Sequence, residues 1–420
     1  MDRAMRKSRL TYLDLNGGLR GVHLHIPGLN VGYTGVAILA GSRDENLADH
    51  LDGMAHFVEH TIFKGTARRS SWHIINRMEA VGGELNAFTT KQDTVVYSIF
   101  PGANLSRATE LIADLIINSR FPECELTKER QVVAEEISTY RDIPSEAVFD
   151  DFEDLIFRGT GLGHNILGTV KSLKTFDSDR CRAWIDTYYR PERMVVFYAG
   201  ATGVDRWADT VKRYFKFTPS PSTSLTLSPP PVDNTIPNTP EQVTRHIRGC
   251  HQTNVVLGSQ IENLDDRSRV TMALLTNILG GPGMNSRLNV LLRERHGLVY
   301  NIEAGTSYYR DRGLFTIYYG CDPEHNEQCD RLVRQAIDEI INDRLTPRAL
   351  SMAKKQYLGQ LTVASQNIEN HIISLARATL SRGRALSNPE LRAILSTLTS
   401  ADLSDSASHL LPLTSLTFAP

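Results

Sequence analysis

The sequence predicts an α+β chain made of two structurally similar domains from an internal duplication. Three observations carry this. The first is a repeated nonapeptide: GSRDENLAD at Gly41–Asp49 and GSQIENLDD at Gly258–Asp266 agree at six of nine positions. Each follows a short apolar strand and leads into an apolar helix, so the repeat brings a strand-to-helix unit with it. The second is a further match at nearly the same offset. LTKERQVVAEEI begins at Leu126 and LTPRALSMAKKQYL at Leu345. The third is a stretch holding seven of the 18 prolines, from Pro219 to Pro240. Such a segment makes an extended linker and not a packed element. The expected organisation is a domain at 1–216, a Pro/Ser/Thr-rich linker at 217–243 and a second domain at 244–420.

The N-terminal residues include Arg3, Arg6, Lys7 and Arg9. No apolar core of signal-peptide length follows them, so the basic start is not read as a secretory signal. No run of about 18 apolar residues occurs, so no transmembrane helix is expected. The formal net charge is −2, which implies no polyanionic partner and no nucleic acid. Cys124, Cys181, Cys250, Cys321 and Cys329 are odd in number and lack CxxC spacing. Free thiols in a reducing compartment fit this usage.

After the strand VGYTGVAILA comes GMAHFVEHTIFKG. Met54, Phe57, Val58, Ile62 and Phe63 give it the character of a buried helix. Three ionisable side chains inside a buried helix need a reason to be there. On a helix, residues three and four apart share a face. His56 and His60 can therefore hold one metal ion, with Glu59 beside it as a general base. This is the inverzincin spacing, H-x-x-E-H. At the duplication offset these three residues fall opposite Ala273, Thr276 and Asn277, so the second half carries a degenerate copy.

GGELNAFTTKQDTVVYS follows, with Gly82 and Gly83 ending a helix and the next residues alternating as a strand. The pattern alone is that of an ordinary hairpin. ELTKERQVVAEEISTYRD then reads as a strong helix with Thr127 as its N-cap. A catalytic zinc takes three protein ligands, and this helix offers Glu129, Glu135 and Glu136. Glu129 and Glu136 are two turns apart on one face; Glu135 points elsewhere. A solvated charged face would look similar. The second copy has Arg348 and Lys355 opposite Glu129 and Glu136, so the acidic pair is absent where the histidines are absent. GGPGMNSRL, in the second half, is glycine-rich but lacks the phosphate-loop pattern.

Several of these segments together resemble the inverzincin peptidases of the pitrilysin family, in the branch of mitochondrial processing peptidase and its bacterial relatives. The resemblance rests on HFVEHTIFKGT, GGELNAFTTKQDTVVYS, ERQVVAEEI, HNILGT and GGPGMNSRLNVLLRERHGLVYNIEAG, which occur in family order over most of the chain. It implies a mostly antiparallel sheet covered by helices in each domain. It implies one Zn²⁺ per chain held by His56, His60 and Glu136, which lies 76 residues after the second histidine, with Glu129 supporting the site. It gives Glu59 the role of base, and Arg293 and Tyr300 that of holding the substrate carbonyl. It also implies an edge strand at Asn86, Ala87 and Phe88 to which a peptide adds as a further strand.

The expected function is therefore a zinc endopeptidase acting on unfolded peptides, presequences or leader peptides. The expected assembly is a homodimer whose sites are completed by Arg293 and Tyr300 of the other protomer, or else a heterodimer with an inactive sister chain. Two further readings are a non-catalytic peptide-binding or scaffold subunit and a zinc hydrolase with non-peptide substrates. The expected location is the bacterial cytoplasm, ahead of a mitochondrial matrix.

Overall fold

The computed structural model describes residues 8–217, 240–262 and 264–420. Most of the expected linker, and all but one of the basic N-terminal residues, lie outside these.

The first sheet has six strands: β1 (Arg9–Asp14), β2 (Arg20–His25), β3 (Val31–Ile38), β4 (Glu84–Thr89), β5 (Thr94–Pro101) and β6 (Met194–Gly200). Their spatial order is β1-β2-β6-β3-β5-β4. The second sheet has five: β7 (Gln242–His246), β8 (Thr253–Ile261), β9 (Val299–Tyr308), β10 (Gly313–Cys321) and β11 (Thr414–Ala419), in the order β7-β11-β8-β10-β9. Without β1, the two orders superpose strand for strand. β2 pairs with β6 in parallel, as β7 does with β11, and the other three pairings are antiparallel in both sheets. This is the mostly antiparallel, helix-covered, duplicated α+β architecture that the repeat and the resemblance imply.

Both sheets are buried on two faces, which accounts for near-continuous apolar strands such as MVVFYAG of β6 and TNVVLGSQI of β8. Each sheet gets one of its covering helices from far away in the chain. Ile368–Arg382 packs its Ile372, Ile373 and Ala376 on the first sheet beside Val22, Val95 and Val195. Pro144–Ile156 packs on β8 and β11 of the second, where Phe152 lies over Gly258. A Cβ on Gly258 would stand 3.0 Å from that ring.

The compact units are therefore not contiguous in sequence. One takes the chain up to Ser138, resumes at Thr160, and includes Ser365–Ala385. The other takes Thr139–Gly159, the chain from the linker to Ala364, and Leu386–Pro420. The expected boundaries at 1–216 and 244–420 fall between the two sheets, except that β7 begins at Gln242 inside the expected linker, and they do not follow these two units. A helix's apolar stripe specifies that it packs, not which sheet it packs on.

The nonapeptide repeat takes two conformations. Gly258–Ile261 continues β8, whereas Ser42–Asp44 is a 3₁₀ turn after β3 has ended. Among the described residues no helix is long and apolar enough to cross a membrane. All five cysteines are free thiols.

Candidate active site

The HFVEH segment lies on the helix Met54–Thr61. Its two faces are chemically distinct. Met54, Phe57, Val58 and Thr61 turn inward and are fully buried, with Phe57 against Phe176 at 5.4 Å between ring centroids. His56, Glu59 and His60 form the opposite face. Thr61 satisfies its hydroxyl within the helix by donating to Phe57 O at 2.7 Å.

The helix expected at Thr127 begins one turn earlier, spanning Glu123–Arg141 directly after Pro122. Thr127 is not its N-cap: its hydroxyl lies inside the helix and donates back to Glu123 O at 2.9 Å. Leu126, Val133 and Ile137 bury one side of this helix, and Glu129 and Glu136 follow the same side. Glu135 is exposed on the other.

His56, His60 and Glu136 converge. Their ligand atoms all lie within 4.8 Å of one another. His60 Nε2 is 3.5 Å from Glu136 Oε2, and His56 Nε2 is 3.8 Å from Glu136 Oε1. Ligands at about 2.0–2.1 Å from a tetrahedral zinc stand roughly 3.3 Å apart. The three groups are thus already near the spacing that such an ion requires.

Protonation differs between the two histidines. Burial, then the charge of His60, pulls the His56 pKa down to about 3, which leaves a neutral imidazole. His60 Nδ1 donates to Glu129 Oε1 at 2.9 Å, which turns Nε2 toward Glu136. Burial opposes a charge on His60, but the Glu129 bond and the carboxylates of Glu59 and Glu136 outweigh it and raise its pKa. Burial would raise Glu129 too, yet its bonds from His60 and from Lys64 Nζ, at 2.7 Å, win and lower it. His56 Nδ1 is buried and has no hydrogen-bond partner among the described residues. The outer support is therefore built on His60 and not on His56.

Glu59 projects beside these ligands without joining them. Burial is the main cause raising its pKa, with the nearby Glu136 adding to it, while His60 and Thr89 pull the other way. A carboxyl raised from its usual range is closer to what a base near neutral pH needs. Thr89 Oγ1 donates to Glu59 Oε2 at 3.1 Å. Thr89 ends β4, so this bond ties Glu59 to the strand carrying Asn86, Ala87 and Phe88.

β4 is the last strand of the first sheet, paired with β5 alone, Asn86 opposite Tyr97 and Phe88 opposite Val95. Ala87 and Phe88 pack on opposite sides of the sheet, in two different apolar clusters. The outer edge of β4 is therefore mostly main chain. Arg293 and Tyr300 belong to the other compact unit. Arg293 is exposed on a π-helical stretch, Asn289–Arg295. Tyr300 is exposed on β9, itself an edge strand, with its hydroxyl 3.2 Å from Asp322 Oδ1.

In the degenerate copy, Asn277 donates to Gln360 Oε1 at 2.8 Å. A neutral amide pair stands where the first copy has a histidine.

Residues the sequence reading missed are Lys64, Glu45 and His164. Lys64 was visible four residues after His60, one helical turn on. Glu45 lies within the repeat and His164 within HNILGT, yet no local pattern joins them.

Two family models match most of the chain. The one described as insulinase (peptidase family M16) matches residues 25–170, and the one described as the peptidase M16 inactive domain matches residues 175–357. All the converging histidines and carboxylates fall in the former. An uncharacterized zinc protease of Streptomyces coelicolor is 31% identical over 396 residues, covering 93% of this chain and 84% of the relative. One of Mycobacterium tuberculosis H37Rv is 31% identical over 402 residues, covering 94% and 90%. One of Bacillus subtilis is 31% identical over 350 residues, covering 83% of each. Among solved structures, a Helicobacter pylori protease superposes with a TM-score of 0.87 at 21% identity, covering 98% of this chain and all of that one. A peptidase M16 inactive domain from Pseudomonas fluorescens gives 0.86 at 18% identity, covering 98% of both. The chain belongs to peptidase family M16, the pitrilysin family.

Proposed function

We propose that this chain is a zinc-dependent endopeptidase of the inverzincin type, hydrolysing peptide bonds in unfolded peptides, presequences or leader peptides. The observation that carries the reading is the convergence of His56, His60 and Glu136 beside Glu59. Two imidazoles, with the His60 proton released on binding, and a carboxylate are a zinc donor set, and three ligands leave a position open. The relatives' description as zinc proteases supports the same metal.

When bound, zinc supplies Lewis acidity toward water and toward a peptide carbonyl. The chain supplies the rest. Glu59 takes a proton from the attacking water at its carboxylate and returns it to the leaving amine. Thr89 orients that carboxylate through its hydroxyl. β4 receives the peptide as an added strand, so main-chain hydrogen bonds hold it and sequence preference is loose. Arg293 and Tyr300 hold the scissile carbonyl. The chain carries both residue sets, one in each compact unit, and this supports a homodimer in which each protomer completes the other's site.

The test is cleavage of a quenched peptide library with and without chelator, read by mass spectrometry, with Glu59→Gln as control. Chelator-sensitive cleavage lost in Glu59→Gln is the expected result. Stoichiometric zinc with no turnover across the library would favour a peptide-binding or scaffold subunit instead.

A further inference from the structure

The histidine helix is only eight residues long and begins after Gly53, whose φ of +89° is left-handed and which has no side chain to cap it. The first amides of such a helix are orphan donors. Here they are met from outside the helix. Glu45 Oε2 accepts from Gly53 N and Glu45 Oε1 from Ala55 N, both at 2.8 Å. The Glu45 carboxylate is fully buried, and its remaining partner is His164 Nε2 at 2.9 Å. A buried carboxylate without partners costs several kcal/mol, and this one has three. Ala55 immediately precedes His56.

His164 is itself fixed. Lys91 Nζ donates to its carbonyl. Farther along the same segment, Thr169 Oγ1 donates to Asp52 Oδ2 at 2.9 Å. Gly168 and Gly53 let the two backbones touch: a Cβ on Gly168 would stand 2.2 Å from Asp52 O, and one on Gly53 2.6 Å from Leu167 O. HNILGT is thus a clamp on the loop that enters the histidine helix.

The duplication provides an internal control. Glu262, the repeat partner of Glu45, is exposed. The helix after it, Asp266–Gly280, is capped locally by Asp265, whose Oδ1 accepts from Ser268 N at 3.0 Å. The same glutamate is drawn into a helix entrance only in the copy that carries the histidines.

We infer that Glu45 and His164 are positioning residues for the metal site: they fix the start of the histidine helix and thereby the place of His56 relative to Glu136. His56 lacks the carboxylate partner that His60 has in Glu129, so its placement depends on its backbone. The inference rests on the zinc reading given above.

The experiment measures zinc affinity by competition with a chromophoric chelator, and the visible spectrum of the cobalt(II)-substituted protein. The proteins compared are wild type, Glu45→Gln, His164→Gln and Glu262→Gln. In Glu45→Gln an amide nitrogen replaces one accepting oxygen and faces a backbone N–H. Glu45→Gln and His164→Gln are expected to weaken zinc binding about 10- to 100-fold, as lost outer support does at metal sites, and to alter the cobalt spectrum. Glu262→Gln is expected to match wild type. A merely stabilising cap would lower the unfolding temperature of the apoprotein and leave the zinc Kd and cobalt spectrum at wild-type values; that result overturns the inference. If Glu45→Gln does not fold, His164→Gln decides alone, since it leaves both Glu45 amide bonds in place. A wild-type protein that takes up no zinc sinks the zinc reading itself, a different result from variants that bind as wild type does.

Discussion

His60 Nδ1 and Glu129 Oε1 lie 2.9 Å apart, and this bond fixes which nitrogen of His60 faces Glu136. Lys64 holds the other oxygen of Glu129. Glu129 is therefore occupied on both sides and stands behind His60, while Glu136, two turns on, faces the two imidazoles. Two similar carboxylates on one helix take different parts because of what surrounds them.

Removing Glu129 should cost metal affinity more than fold. Glu129→Ala is expected to weaken zinc binding about 10- to 100-fold, read by chelator competition. Glu135→Ala, on the exposed side, should leave the affinity at the wild-type value. Equal losses in the two variants would contradict the assignment.

Glu59→Gln separates chemistry from binding. The variant should retain zinc at the wild-type ratio, since Glu59 is not among the converging ligands. Its kcat should fall by about 10²- to 10⁴-fold, the usual worth of a positioned base. Loss of zinc in this variant would place Glu59 among the ligands instead.

The edge-strand reading predicts how substrates fail. N-methylating the amides of a peptide that face β4 should raise KM roughly tenfold for two lost bonds, at about 0.5–1.5 kcal/mol each, with kcat little changed. Side-chain changes at the same peptide positions should matter less. If methylation leaves KM unaltered, the peptide does not bind as a strand on β4.

Mixing Glu59→Gln with Arg293→Ala tests the assembly. With free subunit exchange, completion in trans rebuilds one working site in each mixed dimer, giving about one quarter of wild-type activity. No recovery despite proven exchange would argue for completion within one chain.

His23 should make stability depend on pH away from the site. It is buried on β2, its Nε2–H donates to Thr202 O at 3.0 Å, and it stacks on Tyr198. Burial, eased by the Thr202 bond and reinforced by His25, lowers its pKa to about 4. The unfolded chain, with an ordinary histidine pKa of about 6.5, binds the proton first as pH falls. Stability is therefore full above about pH 6.5 and drops toward pH 4, by at most about 3 kcal/mol in all. Denaturant unfolding from pH 7 to 5 should show a shallower decline in His23→Gln than in wild type. Parallel declines would reject this source.

Much of the site was legible because its parts are local. His56, Glu59 and His60 are spaced by one helical turn, and Glu129 and Glu136 by two, so sequence spacing alone places each set on a face. The choice of Glu136 as third ligand, the edge strand and the carbonyl-holding pair came only with the family resemblance. Thr127 misled because a threonine before an acidic run looks like a cap, while Pro122 had already opened the helix one turn earlier.

By itself the sequence determined the duplication, the histidine pair with Glu59 beside it and the helix that offers the acidic candidates, because periodicity and repeats are properties of neighbours along the chain. Tertiary structure alone decided that Glu45 meets His164 across 119 residues, that Lys64 pairs with Glu129, and that each sheet is covered by a helix from the other half of the chain. Buried polar groups take whichever partner the packing brings within 3 Å, and apolar stripes bury against any matching face. Neither rule names its partner in the sequence.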